Sequence, residues 1–315
     1  MVSKPDRVVH EPESLVVTMD TGDRLHYLDW GGPTTDRSPL PPLLLIHGLA
    51  ATAWAWAPIA RRLRCQTRVL AIDLRGHGLS DSPRTGYDLE SLAYDGLTVL
   101  TANGYGADLG GPPAVVGGHG LGAMVAAAMA LVRPASVCGM ALVDAGWEDL
   151  AEATGMSAAE YQRSIGDPPE VMASMAAYLA DRREFDPRTW DTDQERAARA
   201  AVDEKHAGHV ASVVRAHALR GSVEAMFEFR PRDMLARVEA PLLIAVAESG
   251  AADDETVRER RLALEDAIGA RTGAGLEAPD VRTYPSAGHN LMRYRAAELS
   301  AALLALLERA AHQRS

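Results

Sequence analysis

Residues 115–123 of this chain read Val-Val-Gly-Gly-His-Gly-Leu-Gly-Ala, and this stretch decides the fold. An apolar segment, residues 114–116, leads into it, and a stretch rich in alanine and methionine, residues 121–132, follows it. The apolar segment is typical of a buried strand, and the following stretch is typical of a helix. Glycine tolerates backbone conformations and close contacts that other residues do not, so the four glycines of this stretch predict a sharp strand-to-helix turn.

The turn itself matches a motif from which one residue is missing. Residues 118–122, Gly-His-Gly-Leu-Gly, keep both outer glycines of the nucleophile elbow G-x-S-x-G, in which a serine stands at the tip between strand and helix. Gly120 occupies the position of that serine, so no side chain is present there to form an acyl-enzyme. On these residues the chain resembles the α/β-hydrolase fold family, in particular its capped members such as epoxide hydrolases, lactonases and C–C hydrolases.

Strand and helix patterns alternate along most of the chain. A β-hairpin is predicted around Thr21-Gly22-Asp23, with further strands at residues 42–46, 68–74, 114–116, 137–143, 242–247 and 281–284. Helical patterns lie at residues 89–102, 255–268 and 295–311. This alternation is typical of a doubly wound, mostly parallel sheet with helices on both faces. The resemblance implies that the sheet has eight strands.

One long segment, residues 147–232, breaks the alternation. It is predicted to be helical, and no part of it has a convincing strand pattern. The resemblance implies that it is a cap, or lid, over the active site, inserted into a core made of residues 1–146 and 233–315. The alternative is a helical excursion that only covers an edge of the sheet.

Composition narrows the function classes. The chain has 315 residues, 47% of them hydrophobic, and a net charge of −11 without long runs of one sign, which argues against a nucleic-acid partner. No apolar run approaches the ~20 residues that a membrane-spanning helix needs. The first residues contain no apolar signal core, so we predict a cytoplasmic location without a membrane partner. Cys65 and Cys138 lie in apolar stretches and are predicted to be buried thiols rather than a disulfide.

Two backbone groups are the predicted oxyanion hole. Residues 47–50, His-Gly-Leu-Ala, end the third predicted strand. The resemblance implies that the N–H of Leu49 and the N–H of Leu121, just after the elbow tip, point at one substrate oxygen. One such donor contributes about 3–4 kcal/mol to transition-state stabilisation in measured cases. Backbone donors do not depend on the serine side chain, so we expect them to be retained.

His289 is the predicted catalytic base. It lies in Ser286-Ala-Gly-His-Asn, directly after the last predicted strand, where the resemblance implies a catalytic histidine. Imidazole titrates near neutral pH, which suits a general base or acid.

The acid that would orient His289 is less clear, because Gly250 occupies its common family position after the seventh strand. We favour Asp144, at the end of the sixth strand, where the family has its other acid position. Asp253 or Asp254 would serve if the later loop is longer, and Glu248 would serve if the register shifts. The remaining alternative is a histidine without a carboxylate partner.

Two further residues are predicted to border the pocket. Trp54 and Trp56 are two residues apart after the oxyanion loop, so one of them is expected to face the pocket, and Trp54 is our choice. His119 stands beside the elbow tip and is expected to be mainly structural. Residues 73–81, Asp-Leu-Arg-Gly-His-Gly-Leu-Ser-Asp, resemble a family segment with a structural role, and His77 within it is given that role as well.

These observations predict an enzyme that acts on a small carbonyl-bearing organic molecule without a cofactor or metal. His289 would activate water for hydrolysis, or act as the general base of a lyase or cyclisation reaction. Two alternatives remain: a non-catalytic homologue that binds a small molecule or a protein, and a serine hydrolase whose nucleophile has been replaced.

Overall fold

The computed structural model describes residues 10–33, 40–107, 110–166, 171–206, 209–249 and 254–313. Its main element is a sheet of eight strands: β1 (Glu13–Thr18), β2 (Arg24–Asp29), β3 (Leu43–Ile46), β4 (Val69–Ile72), β5 (Ala114–His119), β6 (Val137–Val143), β10 (Leu242–Glu248) and β11 (Asp280–Pro285). Their order in the sheet is β1-β2-β4-β3-β5-β6-β10-β11. From β4 to β11 the neighbours are parallel, while β1 and β2 form the predicted antiparallel hairpin at one edge.

Helices cover both faces of this sheet. They are α1 (Ala57–Leu63), α2 (Leu89–Ala102), α3 (Leu121–Val132), α10 (Glu255–Gly273), α11 (Leu291–Tyr294) and α12 (Ala296–His312). Leu44 and Ile46 of β3 pack into the core on the α2 and α3 side, whereas Leu43 and Leu45 pack into the core on the α1 and α12 side. A strand that is buried on both faces has to be apolar throughout, which explains the continuous apolar runs of the sequence.

The outer glycines of the elbow are required by close packing. A Cβ at Gly118 would overlap the backbone carbonyl group of Gly122. A Cβ at Gly122 would overlap the carbonyl group of Ile46. The turn between β5 and α3 is therefore so tight that only glycine fits on either side of its tip.

Between β6 and β10 the chain leaves the sheet and forms the inserted segment. Its helices are α4 (Leu150–Thr154), α5 (Ala158–Gly166), α6 (Met175–Phe185), α7 (Thr192–Ala200), α8 (Ala216–Glu228) and α9 (Pro231–Leu235). The expectation that it contains no strand is wrong. Three short strands, β7 (Val171–Met172), β8 (Val202–His206) and β9 (His209–Ser212), form an antiparallel sheet.

These strands escaped prediction because β7 has two residues and β8 reads Val-Asp-Glu-Lys-His, with no apolar alternation. Their pairing with each other, rather than a local sequence pattern, stabilises them. The expectation of two buried thiols also needs correction, since Cys65 is exposed and Cys138 is half-buried, although neither forms a disulfide. Among the described residues, no helix is both long and apolar enough to cross a lipid bilayer.

Candidate active site

The tip of the elbow lies between the last residue of β5 and the first residue of α3. Gly120 has φ +56° and ψ −122°, a conformation that strains any residue with a side chain. A Cβ at this position would lie 3.4 Å from the Cα of Gly48 and 3.7 Å from Nε2 of His289, which are ordinary contact distances. The position of the motif's serine therefore faces the imidazole of His289, and glycine leaves that position open.

His289 and Asp144 form a hydrogen-bonded pair beside the elbow. Asp144 follows β6, His289 lies in the loop between β11 and α11, and Nδ1 of His289 is 2.7 Å from Oδ2 of Asp144. The Asp144 side chain is 2% exposed, whereas the His289 side chain is 61% exposed. A carboxylate only accepts hydrogen bonds, so Nδ1 carries the proton and Nε2 is left free to accept one.

Asp144 is held in place from its other side. Its Oδ1 accepts hydrogen bonds from the Ala247 N–H at 2.8 Å and from Arg260 at 3.0 Å. Arg260 also donates to Glu148 at 3.1 Å and to the Ala247 carbonyl oxygen at 3.2 Å. A buried carboxylate with donors on both oxygens cannot rotate freely, and this fixes the imidazole as well.

Arg260 and Glu148 are site residues that sequence reasoning missed. Burial raises the pKa of the Glu148 carboxyl, and the neighbouring Arg260 guanidinium offsets only part of this. Burial alone would lower the pKa of Arg260, but the carboxylates of Asp144 and Glu148 raise it overall. No sequence signal marked Arg260, because the predicted helix also contains Arg258 and Arg261.

His119 contacts both the backbone and the ring of His289. Its Nε2 lies 3.0 Å from the His289 carbonyl oxygen, and the two rings are 4.3 Å apart. The carbonyl oxygen accepts, so Nε2 carries the proton, and buried Nδ1 has no hydrogen-bond partner among the described residues. Burial lowers the pKa of His119 to about 3, and the neighbouring His289 adds to the effect. His119 is thus a neutral positioning residue.

The loop after β3 is held by a second buried histidine. Nδ1 of His47 donates to the Gly48 carbonyl oxygen at 2.7 Å, and its Nε2 accepts from the Leu74 N–H at 3.0 Å. The backbone hydrogen bonds between described residues include none donated by the N–H groups of Leu49 or Leu121. Neither N–H group is therefore engaged by another backbone group in the described part of the chain, so both remain candidates for an oxyanion hole.

A cavity of about 240 Å³ opens onto these residues. Gly120, Asp144, Arg260 and His289 line it from the core, and Glu148 lines it from the start of the inserted segment. Its apolar lining includes Met124 of α3 and three residues of the inserted segment, Leu150, Tyr161 and Met226. The cavity is smaller than the 300 Å³ or more typical of sites for drug-sized molecules, so it suits a small ligand with one polar end.

The other predicted site residues do not line this cavity or lie outside the described residues. His119 contacts His289 but is not part of the cavity lining, contrary to the prediction, and Leu49 and Leu121 are not part of it either. Trp54 lines a separate cavity of about 510 Å³, and the Arg196 guanidinium lies 4.2 Å from the centre of its ring. Glu248 pairs with Arg261, and Asp254 caps α10 by accepting from the Thr256 N–H, so neither contacts His289. Asp253 lies outside the described residues. No three His, Cys, Asp or Glu side chains in the described part of the chain are grouped to bind a metal ion.

The buried histidines predict acid sensitivity. Burial lowers the pKa of His77, like that of His119, to about 3. Below pH 6.5 the unfolded chain binds protons at both residues that the folded chain does not bind. The free energy of unfolding therefore decreases as the pH is lowered. The slope is about 1.4 kcal/mol per pH unit for each histidine. Urea unfolding at pH 6.0, 5.5 and 5.0 measures the total slope, to which carboxylates and His47 also contribute, so the share of one histidine is taken from the difference between variants.

The control for this slope is a pair of variants. His77→Gln should reduce the slope, whereas His312→Gln, at an exposed histidine, should leave it unchanged. Equal slopes in both variants and the native chain would contradict the burial argument.

Comparisons with known proteins bear on this site. A sequence profile of the Alpha/beta hydrolase family matches residues 43–302. The chain is 32% identical over 145 residues to the 2-(acetamidomethylene)succinate hydrolase of Mesorhizobium japonicum, across 45% of this chain and 49% of that protein. It is 32% identical over 127 residues to epoxide hydrolase 4 of Homo sapiens, across 40% of this chain and 32% of that protein. The alignments thus span about half or less of these relatives.

Solved structures share the fold over nearly the whole chain. The crystal structure of E-2-(acetamidomethylene)succinate hydrolase has a TM-score of 0.75 at 20% identity, covering 94% of this chain and 99% of that chain. The thioesterase domain from the curacin biosynthetic pathway has a TM-score of 0.67 at 24% identity, covering 93% and 99%. At these identities the likeness concerns the fold alone.

Proposed function

Because the chain belongs to the alpha/beta hydrolase family, we propose that it is a cofactor-independent hydrolase that uses water in place of the serine nucleophile. The observation that carries this proposal is the position of His289. Its Nε2 faces the open position at Gly120, while Asp144 binds its Nδ1 at 2.7 Å. The base is therefore oriented as it would be toward a serine, and a water molecule is the nucleophile that fits the space.

In the proposed reaction, a water beside Gly120 attacks the carbonyl carbon of the substrate. One proton of that water passes to Nε2 of His289, and the buried Asp144 carboxylate stabilises the resulting imidazolium. The N–H groups of Leu49 and Leu121 stabilise the charge that develops on the carbonyl oxygen. When the intermediate collapses, His289 returns the proton to the leaving group, and the site is restored.

The cavity supports a small substrate. Its volume of about 240 Å³ and its apolar residues favour a short organic group, and Glu148 and Arg260 supply polar contacts at one end. One relative is named for a 2-(acetamidomethylene)succinate, which contains an amide carbonyl, and this supports an ester or amide carbonyl as the target. We infer that the inserted segment acts as a cap, because Leu150, Tyr161 and Met226 of this segment line the same cavity as His289.

Isotope labelling tests the proposed chemistry directly. The chain is incubated with p-nitrophenyl acetate in ¹⁸O-water, and the acetate and the peptide containing residues 115–123 are analysed by mass spectrometry. We expect one ¹⁸O in each acetate, as in any hydrolysis at the carbonyl carbon. We also expect no acetyl group on that peptide, since Gly120 has no hydroxyl group, and this second result excludes an acyl-enzyme at the elbow. Turnover no faster than in buffer would contradict the proposal. A lyase or cyclisation reaction would instead convert its own substrate without incorporating ¹⁸O.

A further inference from the structure

Besides the His289–Asp144 pair, a Ser–His–Asp chain of hydrogen bonds lies at the edge of the sheet, away from the elbow. Ser14 on β1 places its Oγ 2.8 Å from Nε2 of His26 on β2. Nδ1 of His26 is 2.7 Å from Oδ2 of Asp73, which follows β4. Strand β1 is four strands from β5 in the sheet, a distance of about 19 Å at ~4.8 Å per strand. This chain of residues is therefore separate from the His289 site.

The proton positions follow from the acceptors. Asp73 also accepts hydrogen bonds from the N–H groups of Ala53 at 2.7 Å and Leu79 at 3.0 Å. Burial alone would raise the pKa of Asp73, but the hydrogen bond from His26 and neighbouring groups lower it overall. The ionised carboxylate accepts from Nδ1 of His26, so the tautomer with an unprotonated Nε2 fits this hydrogen bond. In that tautomer the hydroxyl group of Ser14 donates to Nε2, as a serine nucleophile does to its base.

The solvent exposure of the three hydrogen-bonded residues suits a reactive serine. Ser14 is exposed, whereas His26 is 2% exposed and Asp73 is 1% exposed. The hydroxyl group can thus be reached from solvent, while the side chains of the base and its carboxylate are almost fully buried at the lining of the 510 Å³ cavity. Ser157, another exposed serine, donates to the Glu160 carboxylate instead, and half-buried Ser82 lies 3.1 Å from Nε2 of His217.

We propose that Ser14 is a covalent modification site for acyl and phosphonyl electrophiles. In this step Ser14 Oγ forms a bond to the carbonyl carbon or phosphorus, and the bond to the leaving group breaks. The hydroxyl proton passes to Nε2 of His26 and then to the leaving group. Ser14 lies outside the linings of both cavities described above, so we expect stoichiometric modification rather than turnover.

A biotinylated fluorophosphonate tests this proposal, because it reacts with activated serines and cannot react with Gly120. We expect one label per chain, on the peptide that contains Ser14, with a rate about 10²-fold or more above that of other serines. Ser14→Ala should abolish the label. Thr18→Ala, an exposed hydroxyl on the same strand without a histidine partner, should leave it unchanged. A label spread over several serines, or retained in Ser14→Ala, would overturn the proposal.

A cysteine comparison tests the role of His26 without replacing this buried residue. The Ser14→Cys and Thr18→Cys variants are treated with iodoacetamide at pH 7, and alkylation is measured peptide by peptide to separate it from Cys65. We expect the Ser14→Cys thiol to react at least 10-fold faster, because the thiolate is the nucleophile and His26 can take its proton. Equal rates in the two variants would overturn the assignment of His26 as the base.

The two sites can be separated experimentally. Ser14→Ala should keep the turnover that depends on His289, and His289→Ala should keep the fluorophosphonate label at Ser14. The proposal about Ser14 therefore stands or falls independently of the proposed hydrolase activity.

Discussion

Replacing His289 with alanine is expected to reduce turnover of p-nitrophenyl acetate by about 10²–10⁴-fold, the usual contribution of a positioned general base. The loss follows from geometry, because Nε2 of His289 is the basic atom that faces the open position at Gly120. Without the imidazole, a water molecule at that position keeps its proton during attack. Initial rates at pH 7.5, measured over a range of substrate concentrations, provide the test.

The fold is expected to survive this change. The His289 side chain is 61% exposed, and Arg260 and the Ala247 N–H still bind Asp144 when the imidazole is removed. Urea unfolding of the variant confirms that lost activity is not lost structure. The matched control is His312→Ala, at an exposed histidine of α12, which should retain full turnover. If His289→Ala turned over as fast as the native chain, the proposed base would be wrong and the cavity would be better explained as a binding site.

Introducing a hydroxyl group at the elbow is expected to change the mechanism. In Gly120→Ser, the Cβ would lie 3.7 Å from Nε2 of His289, so the new hydroxyl group would be within reach of the base. We expect p-nitrophenyl acetate to leave an acetyl group on the peptide containing residue 120, and the fluorophosphonate to label a second site there. An attached nucleophile avoids the entropic cost of positioning water, so the first turnover should be at least 10-fold faster than in the native chain.

Gly120→Ala is the matched control for this change. It introduces the same strain at φ +56°, which costs on the order of 1–3 kcal/mol of stability, but no hydroxyl group. It should be destabilised like Gly120→Ser and should carry no acyl group. A folded Gly120→Ser variant without an adduct would contradict the geometry of the elbow. A variant whose steady-state turnover greatly exceeds that of the native chain would favour a serine hydrolase whose nucleophile has been replaced.

Much of the sheet could be predicted because its strands are recognisable from local patterns. Strand β3 is apolar at every position since both of its faces are buried, and the hairpin of β1 and β2 surrounds a Thr-Gly-Asp turn. The helix predicted at residues 295–311 is α12, whereas the short helix α11, which ends at Tyr294 just before it, was not predicted. Boundaries of this kind depend on how neighbouring elements pack, which a single segment does not record.

The partner of His289 shows what the sequence left open. Four carboxylates were considered, and each was plausible by its distance along the chain from a predicted strand. Parallel pairing of β6, β10 and β11 brings Asp144 within 2.7 Å of His289 and turns Glu248 toward Arg261. Residues far apart in the chain meet only after the sheet has assembled, so their contact could not be read from spacing.

The sequence by itself determined the class of fold, the position of the elbow and the absence of a side chain at its tip. It could do so because glycine and apolar periodicity act locally, on the backbone and on burial. Only the tertiary structure decided that Asp144 is hydrogen-bonded to His289, that Arg260 and Glu148 share the cavity, and that Ser14, His26 and Asp73 form a second hydrogen-bonded chain. These arrangements depend on distances between residues on different strands and helices, and folding sets those distances.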